Sequence, residues 1–307
     1  MTRNRLLLPL FAVLIALGAT AGAAWAAPAQ GGGATEQSYV GSDTCVACHS
    51  EVAEDLQKTS HGKSAFARLT SQGCESCHGP GSAHAEDPDN PDLRPRIDTL
   101  SAKQQSKACQ SCHAGGGQAF WHGGVHETRG VSCQSCHSIH SSKSEKAQLK
   151  AANTNEACLS CHKTVRAEMW KSSHHPMREG EMSCTDCHDP HGTPTAKLIK
   201  AASVNDQCYS CHTEKRGPFL WEHAPVRESC LNCHTPHGSN HQKLQKTSTP
   251  YLCQQCHSNT RHPGTLYDST TLADQVRASN RIENRACLDC HATIHGSNHP
   301  SSPYLGH

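Results

Sequence analysis

Large apolar side chains are scarce in this sequence: four Phe, four Trp, five Tyr and four Met in 307 residues. A chain of this length ordinarily folds as one or two domains around a sizeable apolar core. Once the first 26 residues and the cysteines are set aside, roughly a quarter of the remainder is apolar, well short of a normal domain. A conventional two-layer fold is therefore excluded. No run after residue 26 approaches the length of a membrane-spanning helix, and none reads as a β-strand. Charge of one sign is missing too. Without Arg3 and Arg5, 26 Lys and Arg face 27 Asp and Glu, a net of −1. What the chain does have is 20 Cys and 25 His, far too many ligand-type side chains for a solvated, disordered tail.

The N-terminus reads as a secretory signal over residues 1–26. Arg3 and Arg5 give a positive start, Leu6 to Leu17 is apolar apart from Pro9, and Ala24-Trp25-Ala26 offers small residues for a signal peptidase. The apolar run is short for a transmembrane anchor, and no Cys follows the cleavage point to take a lipid. Residues 27–40, small and Gly-rich at first, are expected to be a flexible lead-in. Residues 41–307 form the remaining domain, with a possible division into halves at about 41–165 and 166–307.

Every cysteine belongs to a Cys-x-x-Cys-His unit. The ten units are Cys45/Cys48/His49, Cys74/Cys77/His78, Cys109/Cys112/His113, Cys133/Cys136/His137, Cys158/Cys161/His162, Cys184/Cys187/His188, Cys208/Cys211/His212, Cys230/Cys233/His234, Cys253/Cys256/His257 and Cys287/Cys290/His291. At the frequency of His in this chain, ten such coincidences have odds of order 10⁻¹¹. Export usually makes abundant cysteine read as disulfides, but disulfides leave the histidines unexplained. Zinc needs pairs at finger or ribbon spacing and no His beside the second Cys. Covalent haem c uses all three residues: two thiols at i and i+3 add to the vinyl groups, and the next residue sets an imidazole under the iron. Ten haems c over the 281 residues after the signal allow about 28 residues each. The porphyrins then replace the missing core, and an apo-chain is not expected to fold.

Fifteen histidines remain outside the motifs, against three methionines (Met169, Met177, Met182) beyond the signal. Bis-histidine ligation is therefore the economical expectation, at potentials below those of Met/His cytochromes. Four candidates follow a motif closely: His140, His191, His237 and His295. Three precede one: His126, His174 and His223, with His174 preferred over His175 because Pro176 aligns with Pro225. His61, His84 and His262 complete the set. The bland alternative for each is an exposed histidine or a donor to a propionate.

Alternate motifs starting at 109, 158, 208 and 253 suggest a two-motif module, and ANTNEACLSCH recurs as ASVNDQCYSCH. Phe120-Trp121, Met169-Trp170 and Leu220-Trp221 mark one place in successive modules. The fold class expected is a multihaem cytochrome c: mostly irregular coil with short α-helices, essentially no β-sheet, and an elongated haem array. Helices are expected over 43–58, 101–112 and 280–290, with Asp43, Ser101 and Asn280 as N-caps. Gly79-Pro80-Gly81 and residues 87–95 are expected as loops. No catalytic residue is assigned. Twenty ionised propionates would take the net charge to about −21, which disfavours nucleic acid as a partner.

The motif set, the opening GSDTCVACHSEV and the text HAPVRESC…CHTPHGSNH resemble the Mtr/DmsE/Pio-type decahaem c-type cytochromes over essentially the whole chain after the signal. The resemblance implies a non-enzymatic electron conduit in the periplasm, associated with the outer membrane and threaded into a porin-like β-barrel partner. Such a conduit links a periplasmic or inner-membrane cytochrome donor to an extracellular multihaem cytochrome or reductase. A soluble periplasmic shuttle, or a multihaem reductase with one open haem, are the other classes the sequence admits.

Overall fold

Two thiols that must reach one planar group have to leave the same face of the backbone, and residues i and i+3 do so on a helical turn. The computed structural model, which describes residues 37–67, 73–94, 96–144, 146–257 and 286–306, builds its motifs on such turns. Helices at Glu75–His78, Ala102–Gln110, Cys133–Cys136, Thr154–Leu159, Cys184–Cys187, Val204–Tyr209 and Tyr251–Gln254 carry motif cysteines, and 3-10 turns at Cys230–Asn232 and Cys287–Asp289 do the same. The longest among the described residues, Ala102–Gln110, has 9 residues. Isolated helices below about 12 residues are marginal in water, so these turns rely on what they pack against.

Little of that packing is polypeptide. Among the described residues the buried apolar side chains are Ala53, Leu56, Trp121, Leu149 and Met169. Residues 38–307 nonetheless form a single unit. The chain is mostly coil with short helices, and among the described residues β-structure is confined to isolated bridges such as Ser173↔Ser239 and Trp221↔Ser297. The signal expected over 1–26 and residues 27–36 of the lead-in lie outside the described residues.

Local sequence signals are realised unevenly. Ser101 caps its helix as expected, in a capping box with Gln104. The helix expected over 43–58 is two helices, Ser42–Val46 and Ser50–Gln57, because His49 leaves helical geometry (φ −111°, ψ 43°) to present its ring. Asp43 lies inside the first of these and does not cap it; the position falls to Gly41, with no side-chain bond of its own. Gly79-Pro80-Gly81 is a loop, whereas 87–95 includes a 3-10 turn at Pro91–Leu93, started by Asn90 accepting from Asp92 N. The helix over 280–290 lies partly outside the described residues, Asn280 included; Cys287–Asp289 is 3-10.

Candidate functional site

Imidazoles collect in pairs along the chain. Nine of the ten motif histidines face a second ring at centroid distances of 5.8 to 6.3 Å: His49–His84, His61–His113, His78–His140, His126–His162, His137–His191, His175–His212, His188–His237, His223–His257 and His234–His295. Direct ring packing runs closer than this at its tightest. Imidazole–metal bonds are about 2.0 Å long, and a ring centre lies about 1.1 Å behind its nitrogen. Two imidazoles sharing one metal from opposite sides therefore sit about 6.2 Å apart, centre to centre. The gap is that of one iron.

Hydrogen bonds settle which nitrogen looks into the gap. A carbonyl oxygen only accepts, so a ring nitrogen bonded to one carries the proton. His137, His188, His234 and His291 donate from Nδ1 to the carbonyls of Ala147, Lys197, Lys243 and Tyr304 at 2.6 to 2.8 Å. On the opposing side His126, His175 and His223 donate from Nδ1 to Pro190, Pro236 and Ile294 at 2.9 to 3.1 Å. In each of these rings Nε2 keeps its lone pair for a metal, the arrangement typical of oriented imidazole ligands. Burial, as the largest cause, pushes His140, His191, His223, His237 and His295 below the ordinary histidine value. These rings are neutral, and therefore ligating, at neutral pH.

The carbonyls reach the motif rings by an uncommon backbone path. Ala147-Gln148, Lys197-Leu198 and Lys243-Leu244 are pairs of consecutive left-handed residues with φ between 48° and 60°. None is glycine, so each costs about 1–2 kcal/mol, an expense recovered in the bond it turns toward the imidazole. Glycine serves where backbones meet. A Cβ on Gly192 would lie 2.2 Å from Phe120 O, and one on Gly238 would lie 2.0 Å from Glu168 O. Both glycines directly follow an opposing histidine, so the close approach delivers His191 and His237 to their partners.

One expected ligand is displaced by one residue. His174, expected from sequence opposite a motif ring, is not there; His175 faces His212 instead, while His174 bonds to Lys171 O and Glu179 Oε1. Proline alignment gives the wrong register. The Ser173↔Ser239 and Trp221↔Ser297 bridges make Ser173 equivalent to Trp221, and two residues on come His175 and His223. The three aromatic positions diverge for the same reason. Trp121 is buried and stacked on His126 at 6.5 Å, whereas Trp170 is 67 % exposed under Arg178. Distance to the next motif holds the missing signal: His126 and His223 lie 7 residues before a cysteine, His175 lies 9 before, and His174 lies 10 before. His262 lies outside the described residues.

Cysteines are also ordered. None forms a disulfide, and among the described residues no His/Cys/Asp/Glu cluster could enclose a metal as zinc requires. First cysteines of paired motifs lie against each other: Cys45 and Cys74, Cys109 and Cys133, Cys158 and Cys184, Cys208 and Cys230, Cys253 and Cys287. In thiol form, a hydrogen bond from Cys109 pulls Cys133 down to about 6, and one from Cys158 pulls Cys184 down to about 7. Second cysteines make the intervening links: Cys77 with Cys112, Cys136 with Cys161, Cys187 with Cys211, Cys233 with Cys256. Together these contacts join every motif to the next without a gap.

Cys48 and Cys290 depart from this pattern. Sequence treats them as tethers equivalent to the other 18, but both are exposed, and neither takes part in the links between motifs. The reason is their place in the series. They are the second cysteines of the first and last motifs, so no further motif follows to stand against them. The structure therefore corrects the expectation of twenty like environments, and the tether role of Cys48 and Cys290 rests on their Cys-x-x-Cys-His spacing alone.

Sequence comparison agrees with this geometry. The family described as a doubled CXXCH motif matches residues 122–167, 174–217 and 223–262, and cytochrome c554 and c-prime matches 24–79 and 83–138. The multihaem cytochrome MtrA of Shewanella baltica is 43 % identical over 275 residues, 86 % of this chain and 81 % of that protein. The chain belongs to the Mtr-type multihaem cytochromes. A cytochrome c-type protein NapC of Haemophilus influenzae is 28 % identical over 148 residues, 48 % of this chain and 68 % of its own. This Mtr-type cytochrome binds covalent haem c and is an electron-transfer protein, not an enzyme. No described helix is long and apolar enough to cross a membrane.

Proposed function

We propose that this Mtr-type cytochrome holds ten haems c, one on each motif, and conducts electrons between the periplasm and the cell exterior. In this reading the 20 motif cysteines are tethers, Cys48 and Cys290 included, and the ten motif histidines are proximal ligands. His61, His84, His126, His140, His175, His191, His223, His237 and His295 are distal ligands, and His262, named from sequence, completes the ten. Bound haem supplies one-electron exchange at iron, and neighbouring haems pass the electron stepwise. The chain's residues hold each iron six-coordinate, which leaves no open position for a substrate.

The unbroken succession of cysteine contacts from Cys45 to Cys287 carries the reading. A conductor needs every centre next to another, with access at both ends. Export by residues 1–26, a place in the periplasm at the outer membrane, and a porin-like β-barrel partner complete the proposal. Its donor is a periplasmic or inner-membrane cytochrome, and its acceptor an extracellular multihaem cytochrome or reductase.

Intact mass and pyridine haemochrome assay of the exported protein should both give ten haems, and electron paramagnetic resonance only low-spin ferric signals. A substantial high-spin component would favour a reductase with an open haem. Purification from detergent-solubilised outer membranes should yield a stable complex with a β-barrel. Recovery solely as a free periplasmic protein would favour a shuttle.

A further inference from the structure

The residue three places before the first cysteine of a motif shares a helical face with that cysteine. In the first, fifth and seventh motifs this residue is Ser42, Asn155 and Asn205. Each reaches out of its own motif and binds the next one. Ser42 Oγ accepts from Cys74 N at 3.1 Å, Asn155 Oδ1 from Cys184 N at 2.9 Å, and Asn205 Oδ1 from Cys230 N at 2.8 Å. These N–H groups open short helical turns and would otherwise lack an acceptor.

The asparagines do more than cap. Asn155 Nδ2 donates to Met177 O and Met182 O at 3.1 and 3.0 Å, and Asn205 Nδ2 donates to Val226 O and Arg227 O, both at 3.0 Å. Each amide thus uses one acceptor and two donors on the segment that delivers the partner cysteine. With three directional bonds, neither rotation nor sliding of that segment is free. The side chains clamped in this way are those whose thiols touch, Cys158 with Cys184 and Cys208 with Cys230. Ser106, almost wholly buried at the same place before Cys109, lies against Cys133, and Pro250 before Cys253 has no such group.

We infer that Asn155 and Asn205 are positioning residues that fix the relative orientation of the two haems in their two-motif units, and hence the electronic coupling between them. The inference rests on the ten-haem reading above. The residues touch backbone only, so they act through the tethers.

The test uses the full, exported holoprotein, unsubstituted and as Asn155→Ala/Asn205→Ala. Soret circular dichroism reads the exciton couplet of haem pairs, while haemochrome assay and electron paramagnetic resonance count haems and low-spin centres. The two asparagines serve two of five facing-cysteine units, so the variant should lose about two fifths of the couplet with haem count and spin state unchanged. Asn155→Ser/Asn205→Ser, which copies Ser42, should restore most of it. An unchanged couplet in the alanine variant would overturn the inference. So would loss of haems from that variant, since the asparagines would then serve folding or attachment. Fewer than ten haems in the unsubstituted protein sinks the underlying reading instead, before any variant is compared.

Discussion

Residues 38–86 and the repeat from Cys133 to His257 hold imidazoles at the same spacing by different means. In the repeat, each module is held by the next. His126, His175 and His223 donate to carbonyls of Pro190, Pro236 and Ile294, more than 60 residues away, and the Ser173↔Ser239 and Trp221↔Ser297 bridges run alongside. The N-terminal segment is tied mainly to itself. Glu75, 3 % exposed, accepts from Val40 N, Gly41 N and Gly81 N, and Ser38 exchanges bonds with Ser82. Its distal candidate His84 has a buried Nδ1 with no partner, and so has His140, which faces His78. Packing alone orients these two rings. Damage in the repeat should therefore spread to a neighbour, and damage near the N-terminus should stay local.

The sharpest way to break that contrast is a pair of glycine substitutions. Gly192 has φ 121° and meets Phe120 O, and its segment carries both His191 and the Pro190 carbonyl that orients His126. Gly192→Val should disturb two centres at once, His137–His191 and His126–His162, converting about two haems to high spin and destabilising by about 2 kcal/mol or more. Gly79 also has a positive φ, 80°, but faces open space. Gly79→Ala should cost about 1 kcal/mol of backbone strain and convert no haem. Thermal melting and the high-spin resonance read both effects. Equal outcomes would dissolve the distinction between the two regions.

A smaller effect tests the corrected register. His175→Met should replace imidazole by thioether at one haem and raise that haem's potential alone, visible by spectroelectrochemistry. His174→Met should leave every potential in place, since His174 binds Lys171 and Glu179. The reverse result would return the ligand to His174.

That register also shows where sequence stops being informative. The tethers and proximal ligand lie within five residues, so covalent chemistry writes itself into a local pattern, and with it the coil-rich fold built on cofactors. The same local pattern is blind to surroundings: it reads Cys48 and Cys290 like any other tether, although the series ends at each of them. Each facing histidine comes from 34 residues away (His223 and His257) to 62 residues away (His78 and His140). Its register is fixed by backbone bridges and by left-handed pairs such as Lys197-Leu198, which leave almost no side-chain signature. Near the N-terminus the same blindness misplaces a cap. Asp43 looks right locally, but the N–H of Gly41 is satisfied by Glu75, 34 residues on.

Glu75 offers the gentlest probe, because it should loosen one region without removing a ligand. Burial alone would raise its carboxyl; the N–H groups of Gly41, Val40 and Gly81 together outweigh that and hold it below the ordinary value of 4.5. A carboxyl with a depressed folded value stabilises fully above its unfolded pKa and stops doing so as pH falls through the folded one. Residues 38–86 should therefore open preferentially below about pH 4.5, while bonds among backbone groups in the repeat persist. Glu75→Gln should cost about 1–3 kcal/mol at neutral pH, because an amide offers one oxygen where three N–H groups converge. The variant should also lose most of the acid sensitivity of that segment. Amide hydrogen exchange as a function of pH reads both effects segment by segment. If residues 38–86 of Glu75→Gln opened on acidification at the same pH as the unsubstituted chain, the carboxylate would not be what holds this end together.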